Sequence, residues 1–319
     1  MASWIKRTVF GVVLLAAQRA YGQAPDGTIL SAEACAWTAY DSLGSFTRRY
    51  YNEALYRAAS AGSLTRCSRI RYKSGTAEVV GFVTRPVDTS GKPLPVILYA
   101  RGGMMDLGRI DVANLIDFHT LASRGFVVLA TQYRGSDGGT GREELGGSDV
   151  DDVVNLFNAA KTVSYADTAN VFLLGFSRGT LTSLMALRRG LPVNAAALIG
   201  GIFDLRVVLE HFHAISPGIS QRAISLMPDY ASDSVAAYAR RSATQWPTEI
   251  RPPLLLLHGT ADEEVPLSQT LVFAQQMDLA KRPFQLEVYA ADIHEVLENR
   301  ESRDANIIMW FRQHLRPKS

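Results

Sequence analysis

Residues 171–180 read VFLLGFSRGT, a serine between two glycines directly after four apolar residues. G-x-S-x-G alone is common, so its neighbours decide whether Ser177 is a nucleophile or a polar residue in a loop. Residues 171–174 are an apolar run of strand length, and RGTLTSLMALRR behind the serine carries apolar residues at helical spacing. Strand, sharp turn and helix is the context in which this motif presents a nucleophile. Side chains at 175 and 179 would crowd such a turn, and the free amides of the helix start would face developing negative charge.

The same alternation runs through the chain. PVILYA (95–100), FVVLATQ (126–132), AAALIG (195–200), PLLLLH (253–258) and QLEVYA (285–290) are short apolar runs. Helical patterns separate them at 111–124, 149–161, 178–189, 267–281 and 302–315. Strands apolar on both faces, alternating with helices, predict an α/β fold with a mostly parallel sheet covered on each side. CSRIRYKSGTAEVVGFVTRP (67–86) alternates around Ser74 and Gly75 as a hairpin, which brings the expected total to about eight strands. Residues 28–60 lack proline and place apolar residues at helix-like spacing, so one or two amphipathic helices are expected there. Residues 205–250, broken by Pro217, Pro228 and Pro247, read as a small helical cap inserted over the sheet. The expected organisation is a signal peptide over 1–22, an amino-terminal helical segment over 23–64 and a catalytic domain over 65–319.

The signal reading rests on the basic start MASWIKR, the apolar run TVFGVVLLAA and the small-x-small site Ala20, Tyr21 and Gly22. The run is well short of the ~20 residues of a membrane-spanning helix. Export to a periplasmic or extracellular space, with no stable membrane insertion after cleavage, is therefore expected. Cleavage would remove Lys6, Arg7 and Arg19, leaving 30 basic residues against 31 acids and turning the formal charge from +2 to −1. With no basic stripe to track a phosphate backbone, nucleic acid is not an expected partner. An exported chain whose two cysteines are Cys35 and Cys67 would pair them, the alternative being two buried thiols. No C-x-x-C or Cys/His cluster points to a metal, and no cofactor is implied.

A serine hydroxyl needs a base to take its proton, and the base needs a carboxylate, in the chain order serine, acid, histidine. His119 precedes the serine in a predicted helix, His211 and His213 lie in the insertion, His258 ends a predicted strand, and His314 ends the last helix. His294, in VYAADIHEV just past the last predicted strand, is left as the base. Asp262, in LLLLHGTADEEVP after the preceding strand, is the acid candidate, with Glu263 and Glu264 as alternatives. Both lie where the carboxyl ends of strands gather ligands in such sheets. The oxyanion donors are expected to be the backbone amide of Arg178 and the loop ARGGMMD, where Gly102 and Gly103 allow close backbone approach or simply form a tight turn.

These residues resemble the catalytic domain of the prolyl oligopeptidase family, within the α/β-hydrolase superfamily. The similar pieces are TQYRGSDGGTGREELGGSDVDDVVNLF, GFSRGT, RPPLLLLHGTADEEVPLSQT and IHEVLENRES, spread over residues 75–319. The resemblance implies an α/β-hydrolase fold and a serine peptidase with Ser177, Asp262 and His294 as nucleophile, acid and base. The sequence is similar to the stand-alone catalytic domains rather than to the multidomain members with a β-propeller. Arg101 stands where prolyl-specific relatives place a tyrosine that helps to hold the oxyanion. The histidine loop reads Asp-Ile-His-Glu instead of the commoner glycine-flanked histidine. A small peptide or a small ester is the expected substrate, which leaves peptidase and carboxylesterase as the two activities. A hydrolase-fold binding protein without turnover is the reading from another class. Oligomeric state is not legible.

Overall fold

The computed structural model describes residues 24–89 and 91–317. The proposed signal segment 1–22 lies outside the described residues. Nine strands form one sheet: β1 (Ile29–Ala34), β2 (Thr65–Ser74), β3 (Ala77–Pro86), β4 (Leu94–Ala100), β5 (Val127–Thr131), β6 (Ala166–Phe176), β7 (Ala195–Ile199), β8 (Leu254–Gly259) and β9 (Phe284–Tyr289). Their spatial order is β1-β2-β3-β5-β4-β6-β7-β8-β9. The first three pairings are antiparallel, and the five from β5 to β9 are parallel. The helices are α1 (Ser45–Tyr50), α2 (Glu53–Ser60), α3 (Val112–Ser123), α4 (Asp149–Ala160), α5 (Arg178–Arg188), α6 (Leu205–Ile215), α7 (Pro217–Ser225), α8 (Ser234–Arg241), α9 (Ser268–Leu279) and α10 (Arg300–Gln313).

The apolar runs are continuous because both sheet faces are buried. In β4, Val96 and Leu98 pack with α4, α5 and α9, whereas Ile97 and Tyr99 face α3 and α10. In β6, Val171 and Leu173 divide from Phe172 and Leu174 in the same way. This is the period-two alternation of a strand covered on two sides. Helices α6 to α8 and two single-turn helices occupy residues 205–249, with Pro217 opening α7 and Pro247 opening the second of those turns.

The amino-terminal segment departs from the all-helical expectation. Residues 29–34 are β1, paired antiparallel with β2 so that Ala32 stands opposite Ile70 and Ala34 opposite Ser68. This strand raises the count from about eight to nine. ILSAEA alternates only over Leu30–Ala34, with alanines at two of the apolar places and one β-branched residue in all, and five of its six residues are exposed. It is an edge strand, and backbone pairing with β2 overrides its local propensity. The structure joins Cys35 to Cys67, and Cys35 N–H donates to the Cys67 carbonyl at 3.2 Å, so the end of β1 is tied to β2. The helices that follow are shorter than the sequence pattern implied, six residues in α1 and eight in α2.

Candidate active site

Ser177 sits between β6 and α5 at φ 53° and ψ −123°, a conformation that residues other than glycine rarely adopt. The flanking glycines make the turn possible. A Cβ on Gly179 would stand 1.9 Å from the Ala100 carbonyl oxygen, and one on Gly175 would stand 2.7 Å from Ser183 Oγ. The Ser177 amide donates to the Ile199 carbonyl at 2.9 Å, which fixes the elbow to the end of β7.

Asp262 lies in the turn between β8 and α9. Its Oδ1 accepts the amides of Glu264 and Val265 at 3.0 and 2.8 Å, and Oδ2 stands 2.6 Å from His294 Nδ1. His258 Nε2 is 3.1 Å from the same Oδ2 and 2.9 Å from the Val265 carbonyl, while its Nδ1 meets Thr270 Oγ1 at 2.6 Å. Burial by itself would raise the Asp262 pKa, but the bonds from His258 and His294 outweigh it and hold the carboxyl well below the usual carboxylate range. Glu263 and Glu264 are exposed, and Glu264 reaches only to 3.8 Å from His294 Nε2.

His294 follows β9 and is buried. Its ring lies 4.9 Å from that of Phe176 and packs on Gly200, where a Cβ would come within 2.8 Å of Nδ1 and Cε1. Phe176 precedes Ser177, and Gly200 follows the residue that anchors the Ser177 amide, so the neighbours that hold the serine also hold the imidazole. With Nδ1 engaged by Asp262, Nε2 is the free nitrogen, and it is buried without a hydrogen-bond partner. Asp292 keeps the loop in shape: fully buried, it accepts the amides of Ile293, Glu298 and Asn299 at 2.9, 3.1 and 2.8 Å. That carboxylate performs locally what flanking glycines would do by flexibility.

The loop after β4 approaches the serine closely, since a Cβ on Gly102 would sit 3.0 Å from Ser177 Cβ. Gly103 adopts φ +64°, and a Cβ there would meet the Leu107 oxygen at 2.1 Å. The Arg101 guanidinium is turned into the protein, where it donates to the carbonyls of Gln132, Gly102 and Met105 at 3.0, 2.8 and 2.6 Å. Arg178 is buried as well, its side chain paired with Glu143 and Asp149. Arg101 is therefore not a side-chain substitute for a tyrosine donor. Sequence reasoning missed Glu143 and Asp149, because GREELGGSD carries the charge density of a solvated loop, and Tyr133, which no local pattern singles out. Beside the elbow lies a cavity of about 230 Å³ lined by Phe46, Tyr51, Gly102, Phe118, Phe176 and Ile307, among others.

Among the described residues no three His, Cys, Asp or Glu side chains are grouped to hold a metal ion, and no helix is long and apolar enough to cross a membrane. What the site offers is a hydroxyl on a strained elbow, a buried imidazole with one free nitrogen and an ionised carboxylate behind it.

Sheet and elbow together define an α/β-hydrolase. The model of the prolyl oligopeptidase family matches residues 114–318, and the chain belongs to that family. It is thus a serine hydrolase of a peptidase family. It is 26% identical over 239 residues to the uncharacterized peptidase YtmA of Bacillus subtilis, covering 75% of this chain and 90% of that protein. It is 27% identical over 253 residues to human dipeptidyl peptidase 8, covering 74% of this chain but 27% of that enzyme. Among solved structures, a puromycin-hydrolyzing peptidase of Mycobacterium tuberculosis is similar with a TM-score of 0.66 and 25% identity, over 76% of this chain and 38% of that one. The chain spans well under half the length of those last two proteins.

Proposed function

We propose that the chain is a serine peptidase that cleaves peptide or amide bonds through an acyl-enzyme formed on Ser177. The observation that carries this is the buried, unpartnered Nε2 of His294, whose Nδ1 is held by Asp262 at 2.6 Å. In this reading Ser177 Oγ attacks the carbonyl carbon while His294 Nε2 takes its proton, and Asp262 fixes the tautomer and stabilises the imidazolium. The proton then passes to the leaving nitrogen, the C–N bond breaks, and water activated by the same imidazole releases the acyl group. The Arg178 amide and the backbone of the 101–103 loop are the oxyanion donors. Steady-state assay of the purified chain on matched alanine and proline anilides and short aryl esters tests this. Amide cleavage supports the peptidase, whereas ester cleavage alone replaces it with a carboxylesterase.

The pH profile has a defined sign. Burial favours neutral His294, but the hydrogen bond and charge of Asp262 outweigh it and raise the imidazole pKa above its ordinary 6.5. The base works only when neutral, so kcat/KM should rise with pH through a single acid limb centred above 6.5. Asp262→Asn removes the charge that raises this pKa, so the limb should move to lower pH as kcat falls about 10⁴-fold. An unmoved limb in that variant would show that another group titrates.

Export through residues 1–22 belongs to the same proposal and draws support from the Cys35–Cys67 disulfide, since such bonds persist in oxidising compartments. Amino-terminal sequencing of the exported protein should begin near Gln23, and a sequence starting at Met1 would refute processing.

A further inference from the structure

Behind the loop that approaches Ser177 lies a buried charged unit. Two guanidinium groups, Arg101 and Arg178, face two carboxylates, Glu143 and Asp149, and all four residues are at most 3% exposed. Glu143 joins the halves of the unit. Its Oε1 accepts Arg101 Nη2 at 3.1 Å, and its Oε2 accepts both the Met105 amide at 2.9 Å and Arg178 Nη1 at 2.5 Å. Asp149 takes the other Arg178 nitrogen and the amides of Gly146 and Gly147. Both guanidinium groups lie near the Tyr133 ring, at 5.2 and 4.6 Å from its centroid.

Three successive carbonyls of the loop are held by this unit. Tyr133 Oη donates to the Arg101 carbonyl at 3.1 Å, Arg101 Nη1 to that of Gly102 at 2.8 Å, and Arg178 Nη1 to that of Gly103 at 3.0 Å. In a planar trans peptide the carbonyl of one residue and the amide of the next point in opposite directions. Fixing those three carbonyls toward the charged unit therefore aims the amides of Gly102, Gly103 and Met104 away from it. Gly102 is also the residue whose Cβ position lies 3.0 Å from that of Ser177. One of the guanidinium groups belongs to Arg178, the first residue of α5, so the same carboxylate reaches the loop and the start of the nucleophile helix.

We propose that Glu143 is a positioning residue, which clamps the 101–105 loop to the nucleophile helix through Arg101 and Arg178 so that backbone amides are aimed beforehand at the transition-state oxyanion. This rests on the assignment of Ser177 as nucleophile. A pre-aimed donor acts on the charge that develops in the transition state and adds little to binding of the uncharged substrate. Losing the clamp should thus lower kcat and leave KM nearly unchanged.

The test uses the full chain, an aryl acetate as substrate, and phenylboronic acid as a probe that forms a tetrahedral anionic adduct on a reactive serine. Glu143→Gln keeps the shape but loses the charge, and it directs an amide NH₂ at donors. Its kcat and its affinity for the boronate should both fall about 100-fold, the range found for loss of one oxyanion donor, with KM held within about twofold. If kcat and boronate affinity are retained, or if KM rises with ground-state binding bearing the whole loss, Glu143 is only a structural residue. Because the unit is buried, the glutamine variant can fail to fold. Tyr133→Phe then decides, since it removes just one hydroxyl, which donates to the Arg101 carbonyl and also meets Thr182, and should cost about tenfold in kcat and boronate affinity together, one hydrogen bond's worth. Unchanged values there overturn the clamp. A wild-type chain that neither turns over the ester nor binds the boronate overturns the assignment of Ser177, and this inference with it.

Discussion

Ser177→Ala should lower kcat about 10⁶-fold on any substrate the protein accepts, while its thermal midpoint hardly moves. The two halves of this expectation have separate causes. Activity falls because nothing else in the site supplies the attacking oxygen, and the imidazole has no serine hydroxyl to deprotonate without it. The residual rate should still exceed that in water, because the loop amides and substrate binding survive the substitution. Stability holds because the serine side chain does not cap α5, and alanine meets the same strain at φ 53° that serine does. With no cap lost and the strain unchanged, none of the usual causes of large destabilisation applies. Steady-state kinetics and a thermal melt on the same preparation check both halves. More than a few per cent of residual activity would displace Ser177 from the nucleophile's role.

The largest stability effect is expected at Asp152, far from the chemistry in role. Asp152 is fully buried on α4 and accepts the Arg134 amide at 2.8 Å, Arg134 Nη2 at 2.7 Å and Ser74 Oγ at 2.6 Å. Its carbonyl takes the Tyr72 hydroxyl at 2.9 Å. One carboxylate thereby ties the β2–β3 hairpin and the segment after β5 to α4. Asp152→Ala leaves a buried guanidinium without its counter-ion and should cost about 3–5 kcal/mol. For a domain whose whole stability is about 5–15 kcal/mol, this brings the chain close to unfolding. Urea denaturation should show the loss, and adding Arg134→Met should return much of it by removing the stranded charge. A loss under about 1 kcal/mol would mean that water replaces the pair readily.

Asp152 also explains the stretch YRGSDG…DVDDV, on which the family resemblance leaned most. Its Arg134 and Asp152 are the partners of this pair and mark scaffold, whereas its Tyr133 and Asp149 belong to the unit behind the loop that approaches Ser177. The cavity walled by Phe46 of α1 and Tyr51 just after it shows the opposite case. The amino-terminal segment, legible only as helical, adds side chains beside the nucleophile's turn, because β1 and the disulfide bring it back along the sheet edge.

Local patterns determined much of this protein from the sequence by itself. Short continuous apolar runs marked every strand from β4 to β9, and helical spacing marked the helices between them. Glycines at 175 and 179 marked a turn that no side chain at those positions would permit. The candidates Ser177, Asp262 and His294 were legible from their order along the chain and from their places at the ends of apolar runs. Tertiary structure alone decided the rest. Edge strand β1 forms because β2 offers unpaired backbone, since the short, alanine-rich alternation of ILSAEA is too weak to mark a strand by itself. Asp292 shapes the histidine loop by accepting three amides of its own turn, a geometry that composition does not encode. Nothing local in the sequence marks the side chains of Arg101 and Arg178 as buried, yet they are, because Glu143 lies 42 and 35 residues away in sequence and within hydrogen-bond reach in space. A charge's partner depends on where the fold carries the chain, and desolvation makes that pairing obligatory only once the core has closed.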